Sequence, residues 1–288
     1  MNSIMVKKIR LSDIWLKIAI YFSAILSVGI VCGIIGYVFV KGFSVVNWSF
    51  LTSVTSVLNN TVGIAGNIIN TIYIIVITLL IATPVSIGSA IYLNEYAKPG
   101  KFVRLVEMTT EILSGIPSII FGLFGMIFFG EVLGLSYSIL TGSLTLTLMV
   151  LPLITRNTQE ALRAVPDSYR TGAIGMGASK WYMIRTVLLP SAMPGIITGV
   201  ILAIGRIVGE SAALLFTAGS SALLPRGGFV GLFDKIFNSG GTLTIQLYLS
   251  MSKAEYDIAF GIALVLLVIV LCINFLTKYL AKKFDVNK

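Results

Sequence analysis

Long apolar runs separated by shorter polar intervals set the pattern of this chain, and run length is its most informative property. A helix needs about 20 predominantly apolar residues to cross the hydrocarbon core of a bilayer. Six runs reach or approach that length, at positions 17–40, 68–93, 112–129, 137–155, 191–218 and 258–280. The expected fold class is therefore all-α, a polytopic membrane protein with six transmembrane helices. The first run is longer than the apolar region of a secretory signal, and no small-residue cleavage pattern separates Val40 from Lys41-Gly42-Phe43. It is expected to stay in the mature protein.

Composition strengthens this reading. The 288 residues are 56% hydrophobic and 11% charged, against about 25% charged in an ordinary soluble domain. A soluble monomer would be left with apolar patches far larger than water tolerates. The basic residues are unevenly spread. Lys7, Lys8, Arg10 and Lys17, then Lys98, Lys101 and Arg104, then Arg156, Arg163, Arg170, Lys180 and Arg185, then Lys278, Lys282, Lys283 and Lys288 make sixteen of the 21. The alternate intervals hold only Lys41, Arg226, Lys235 and Lys253, and Arg206 lies within the fifth run. Because cytoplasmic loops carry the Lys and Arg excess, six crossings with both termini in the cytoplasm are expected.

The net charge of +9 does not point to nucleic acid, since no water-facing module of any size carries it. Histidine is absent, which removes the commonest general base and metal ligand. Neither a catalytic residue nor a metal or cofactor site is expected on this chain. Cys32 and Cys272 lie inside apolar runs and read as small packing side chains.

Inside the runs, Pro84 and Gly88, Gly115 and Pro117, Gly122 and Gly125, Pro194 and Gly195, and Gly205 and Gly209 stand out. Small residues let helix backbones approach closely, and irregular backbone is tolerated where protein or water satisfies it. Tight packing and the lining of a translocation path are both open at this point. Arg206 and Glu210 are the residues that the physics of lipid singles out. A charge at the centre of a membrane helix costs about 2.5–3.5 kcal/mol, so such residues face a partner or a cavity. Four residues apart on one helix, the two can pair with each other. Passage of a substrate anion is the functional alternative, with Arg206 supplying transient positive potential and Glu210 holding it.

The interval 156–190 is too polar to cross a membrane and reads as two short helices. Pro166-Asp167-Ser168 offers a start with Asp167 or Ser168 as cap. Gly172, Gly175 and Gly177 supply a turn. Ser179 then caps a second helix presenting Trp181, Tyr182 and Ile184, which Leu189-Pro190 ends. Such an aromatic face suits a protein partner or the lipid headgroups.

Thr171-Gly172-Ala173, Gly177 and Leu189-Pro190 resemble the EAA loop of ABC importer permeases, with Val187 at the Ile position of its Ile-x-Leu-Pro. Thr171 and Gly172 stand where that family has Glu and its first Ala, and Glu160-Ala161-Leu162 lies eleven residues too early to replace them. Further segments resemble the phosphate-specific permeases of the PstA type. They are residues 90–97, the Gly115-Ile116-Pro117-Ser118 segment, residues 160–166, Arg206-Ile207-Val208-Gly209-Glu210-Ser211, and Thr242-Leu243-Thr244.

The resemblance implies a type I ABC importer permease (MetI-like) fold and an importer of inorganic phosphate. It implies a loop, including Thr171, Gly172, Ala173, Gly177, Trp181, Tyr182, Leu189 and Pro190, that seats in a separate ATPase. The implied partners are a PstC-like second permease, two copies of an ATP-binding subunit and an extracytoplasmic phosphate-binding protein meeting the outward loop 219–257. No Gly-x-x-x-x-Gly-Lys-Ser/Thr loop is present for ATP phosphates, so ATP hydrolysis is expected on another polypeptide. The implied division is 1–60, with the first span and an outer loop, then a permease core over 61–280, and a tail at 281–288. A permease for molybdate, sulfate or phosphonate, a secondary carrier, and a membrane scaffold or sensor are the competing readings.

Overall fold

The computed structural model describes residues 11–56, 61–98, 100–225 and 228–283. Lys7, Lys8, Arg10, Arg226 and Lys288, which entered the charge count above, lie outside them. Helix α1 spans Leu11–Phe43. The short helix α2 (Trp48–Thr52) follows, its start fixed by the Asn47 side chain, which accepts from the Phe50 N–H at 2.8 Å. An antiparallel hairpin of β1 (Val54–Ser56) and β2 (Thr61–Ile64) leads into α3 (Ala65–Ile91). The last turn of α3 widens to a π-helix over Tyr92–Tyr96.

Then come α4 (Lys101–Gly115), α5 (Ser118–Gly125) with a π-helical extension over Met126–Val132, and α6 (Ile139–Ala164). Helix α7 spans Asp167–Gly175, and α8 (Lys180–Met183) passes through a π turn at Ile184–Leu188 directly into α9 (Leu189–Gly209). Helix α10 covers Ala212–Thr217, and α11 covers Gly228–Asp234 with a 3-10 turn at Lys235–Phe237. Helices α12 (Leu243–Ser252) and α13 (Tyr256–Lys283) complete the described chain.

Among the described residues five helices are long and apolar enough to cross a bilayer, and six spans result if α4 and α5 count as one broken crossing. The break is the main departure from the expected third run. Lys101–Gly115 and Ser118–Val132 meet at 101°, because Pro117 lacks an N–H and drives Ile116 out of the helical region (φ −71°, ψ 132°). The fourth run extends nine residues past its expected polar end, since α6 carries on to Ala164. The fifth begins earlier and breaks sooner, running as one helix from Lys180 to Gly209. Leu189-Pro190 therefore ends nothing. The π turn before it moves the Leu189 N–H onto the Ile184 carbonyl, a register that takes the ring of Pro190 without breaking the helix.

Helices α3, α6 and α9 form the centre, with Ile74, Leu146, Val150, Ala203 and Ile207 in a common apolar core. Close packing accounts for some of the glycines in the spans. A Cβ on Gly195 would lie 2.6 Å from Ala161 Cβ, and one on Gly199 2.7 Å from Asn157 Cβ, so α9 and α6 touch almost backbone to backbone there. Gly205 and Gly209 meet nothing within 4 Å. Cys32 and Cys272, expected to pack, are exposed free thiols on α1 and α13.

One end of the bundle is closed by the segment between α10 and α12. Asn67 Nδ2 on α3 donates to the Gly241 carbonyl at 3.0 Å, and Asn70 Nδ2 to the Ser221 and Gly241 carbonyls at 2.9 and 3.1 Å. Thr71 Oγ1 accepts from the Leu243 N–H at 3.0 Å. Polar residues thus sit on an otherwise apolar helix because the loop brings backbone groups that need partners there. Gly66 admits this loop, since an added Cβ would strike the Ala222 carbonyl, and Gly122 admits α10, whose Ala213 Cα would lie 2.8 Å from it.

Gly66→Ala and Gly122→Ala are each expected to destabilise the protein by about 1–3 kcal/mol, measured as a lowered midpoint of thermal unfolding in detergent. Gly29→Ala, where an added Cβ meets nothing within 4 Å, is expected to stay within about 0.5 kcal/mol of the parent.

Candidate functional site

The loop between the fourth and fifth runs folds as a compact lobe on the ends of α6 and α9. Pro166 takes the N-cap position of α7 and Asp167 begins the helix, so neither Asp167 nor Ser168 acts as the expected cap. Gly172 and Gly175 lie within α7, leaving Gly177 alone (φ +84°) to make the turn. There the Gly177 N–H donates to the Ile174 carbonyl at 2.9 Å and the Ala178 N–H to the Ala173 carbonyl at 3.0 Å. This is a Schellman closure, which needs the left-handed residue that glycine supplies. Thr171 Oγ1 donates back to the Asp167 carbonyl at 3.2 Å.

Ser179 does cap α8 as expected, its Oγ accepting from the Tyr182 N–H at 3.3 Å. Ala173, Met183, Ile184 and Leu188 pack with Leu162, Val165, Ala192 and Ile196 in a second apolar cluster. Ile184, expected on the outer face, is therefore buried. Trp181 and Tyr182 are each 59% exposed and stand on the free side of the lobe with Ile174 and Met176. Leu189 and Pro190 are the entrance to α9 rather than part of that surface.

An ionic hub holds the lobe against α3. Glu95, in the π turn that ends α3, is 6% exposed, and Arg170 of α7 is 17% exposed. Glu95 Oε1 accepts from Arg170 Nη2 at 3.1 Å, Arg170 Nε at 3.3 Å and Asn94 Nδ2 at 2.8 Å. Arg170 also donates to the Leu162 and Val165 carbonyls at 2.8 and 2.9 Å, covering the C-terminal carbonyls of α6, and to Asp167 Oδ1 at 3.0 Å. Lys180 Nζ donates to the Glu95 carbonyl and lies 4.8 Å from the centroid of the Tyr96 ring, a cation–π placement.

Nearby, Arg156 pairs with Glu111 at 3.2 Å and Glu160 at 3.5 Å, and Arg163 with Glu107 at 3.2 Å, around a polar cavity of about 180 Å³ between α4 and α6. Glu95 and Arg170 were missed as site residues. Their signal was a lone acid at the end of the second apolar run and a base inside the next polar interval, opposite charges whose meeting depends on the tertiary fold.

The fifth run carries the second feature. Helix α9 ends at Gly209, and Glu210 is extended (φ −82°, ψ 123°). Glu210 Oε1 accepts from the Ala213 N–H at 3.0 Å, capping α10, while the Glu210 carbonyl accepts from Thr244 Oγ1 at 2.9 Å. The expected ion pair between Arg206 and Glu210 is not formed. One residue past the helix, Glu210 no longer shares the face that an i, i+4 pair requires. Among the described residues no carboxylate pairs with Arg206. It sits in the last turn of α9, where the helix dipole favours a cation. Beside it, Thr198, Leu202, Gly205 and Gly209 form a stripe that the rest of the chain leaves open.

Arg170→Met is expected to destabilise the folded chain by about 3 kcal/mol, since it strands a buried carboxylate. Arg156→Met, removing an exposed base, is expected to cost about 1 kcal/mol or less. Thermal unfolding of the two purified variants measures the difference.

Residues 82–286 match the family described as binding-protein-dependent transport system inner membrane component. A probable ABC transporter permease protein, YqgI, of Bacillus subtilis strain 168 is 36% identical over 90% of this chain and 92% of its own length. A phosphate transport system permease protein PstA homolog of Mycoplasma pneumoniae is 36% identical over 95% of this chain, which spans 42% of that longer protein. Among solved structures, a bacterial alginate ABC transporter in complex with an alginate pentasaccharide-bound periplasmic protein superposes with a TM-score of 0.70 at 16% identity, over 96% of this chain and 97% of that one. The fold is that of the type I ABC importer permeases. With its apolar spans, its lobe seated on α6 and α9, and a family match over most of its length, the chain belongs to the inner-membrane components of binding-protein-dependent transport systems, the permease subunits of ABC importers.

Proposed function

We propose that this chain is a PstA-type permease subunit that passes inorganic phosphate across the cell membrane, driven by ATP hydrolysis on separate subunits. The observation that carries the reading is Arg206, a cation in a membrane-spanning helix, without a carboxylate partner among the described residues, beside an open stripe that includes Gly205 and Gly209. Keeping such a charge in lipid is costly, and a transient oxyanion offsets that cost when it pairs with the guanidinium. Glu210 contributes differently from the sequence expectation. Its carboxylate holds the start of α10, so it fixes the backbone break next to Arg206 and gives the local site a countercharge. Relatives named for phosphate transport, including PstA of Mycobacterium leprae at 35% identity over 69% of this chain, support phosphate as the anion.

In this reading the open stripe on α9 faces a second, PstC-like permease, and the lobe carrying Trp181 and Tyr182 seats in one of two ATPase subunits. The lobe and both termini then lie in the cytoplasm, a reading that the Lys and Arg excess of those intervals supports. The opposite end, closed by the segment between α10 and α12, receives an extracytoplasmic phosphate-binding protein. The hub of Glu95 and Arg170 then ties the ATPase contact to α3 as well as to α9, so two spans respond together.

Labelled phosphate uptake into vesicles containing the assembled complex tests the substrate. Uptake is expected to survive excess sulfate and molybdate and to fall with excess unlabelled phosphate; suppression by sulfate or molybdate instead would reassign the anion. Arg206→Gln, at unchanged membrane abundance, is expected to lower the uptake rate by about tenfold or more, the scale of one lost charged hydrogen bond, and a wild-type rate would remove Arg206 from the pathway. Trp181→Ala is expected to weaken retention of the ATPase by about tenfold, measured by copurification, and full retention would mean that the lobe contacts something else.

A further inference from the structure

A second cationic centre lies at the far end of the molecule from the coupling lobe. Lys235 opens the 3-10 turn after α11 and is 5% exposed. Its Nζ donates to the Ser239 carbonyl at 3.1 Å, which occupies one of the three donors of an ammonium. Asp234, adjacent in sequence, does not form an ion pair with it, and neither does any other carboxylate among the described residues. Burial lowers the pKa of Lys235 from its ordinary value, the expected result of desolvating a charge without neutralising it.

Lys235 lines a cavity of about 400 Å³ together with Ser221, Asp234, Asn238 and Ser239. Ser239 Oγ accepts from the Ser221 N–H at 3.4 Å and Ser221 Oγ from the Leu223 N–H at 3.5 Å. Both hydroxyl hydrogens therefore remain available as donors. Asn238 Nδ2 is already engaged with the Asp234 carbonyl at 2.8 Å. The cavity floor is firmly built, since Asn70 of α3 holds the Ser221 carbonyl and the Ile139 N–H of α6 donates to the Asn238 carbonyl at 3.0 Å.

A clamp on the Ser239 carbonyl would use one N–H of Lys235 and needs no cavity. Two further ammonium hydrogens and two hydroxyls on residues that line one open space of this size describe a receptor for a compact group rich in acceptors. We propose that this cavity is an oxyanion subsite, taking a phosphate group with Lys235 as its charge partner and Ser221 and Ser239 as donors. Asp234, exposed at the rim, repels a fully ionised oxyanion and accepts a hydrogen bond from one that keeps a proton, as monobasic phosphate does. The proposal rests on the reading of the chain as an oxyanion permease. It adds an anion-holding point at the mouth opposite the coupling lobe, separated from that lobe by the 27 residues of α3, about 40 Å of helix.

The test uses the full-length chain with its copurifying subunits in phosphate-free detergent, treated with acetic anhydride, with acetylation of Lys235 followed by peptide mass spectrometry. Saturating inorganic phosphate is expected to slow acetylation of Lys235 by about tenfold, as occupancy of a site protects it, and to leave the exposed Lys253 unchanged; chloride at equal ionic strength is expected to do neither. Protection that appears only after adding phosphatidylglycerol would assign the subsite to a lipid headgroup phosphate. Equal rates with and without either compound would overturn the proposal. In vesicles, Lys235→Gln is expected to raise the KM for phosphate uptake by about tenfold, with Lys235→Arg retaining most of the affinity. Reduced thermal stability of Lys235→Gln with an unchanged KM would make Lys235 a structural clamp and also overturn it. If the wild-type assembly protects Lys235 yet takes up no phosphate, the importer reading fails and the subsite stands; uptake without protection fails the subsite alone.

Discussion

A backbone amide or carbonyl in hydrocarbon finds no water, so every interruption of a membrane helix must be repaired by other protein groups. That constraint shapes this fold more than any single contact. Where α9 stops, the carboxylate of Glu210 takes up an N–H of α10 and the hydroxyl of Thr244 takes up the carbonyl that Glu210 leaves free. Where the loop between α10 and α12 arrives, Asn67, Asn70 and Thr71 meet its backbone. Near Pro190 the repair is made by the helix itself, which changes to a π register. Asn67, Asn70, Thr71 and Thr244 thus serve as backbone partners, whereas Arg206 forms no ion pair among the described residues.

The lobe between α6 and α9 is held differently. Arg170 satisfies carbonyls at the end of α6, and the same guanidinium binds a carboxylate from α3. A planar fork of five donors can do both at once, which a lysine could not. The outlying pairs of Arg156 and Arg163 are open to solvent and orient α4 without anchoring it firmly.

Run length made the spans legible, because crossing a bilayer sets a minimum that few other structures need. Gly195 was legible as a small residue that lets helices approach, with packing and path lining both left open, and its contact with Ala161 is one of packing. What could not be read was where a span bends. The Gly115-Ile116-Pro117 sequence signals a break, but an angle of 101° depends on what α4 lies against. Glu210 was legible as costly and illegible as a cap, since that role requires the helix to end one residue earlier. Ile184 looked like part of a partner surface because its i, i+3 spacing from Trp181 shares a face in an α-helix, whereas it lies in the buried cluster at the start of the π turn. The hub at Glu95 joins residues 75 positions apart in the chain, a distance over which local pattern carries no information.

The unbroken helix from Lys180 to Gly209 gives the molecule a pushrod. Its 30 residues amount to about 45 Å, enough to reach from the aromatic lobe at one end to Arg206 and the gap before α10 at the other. Under the importer reading, a tilt imposed on Trp181 would be carried along this helix toward Arg206, and the π turn at Ile184–Leu188 lies between the two ends.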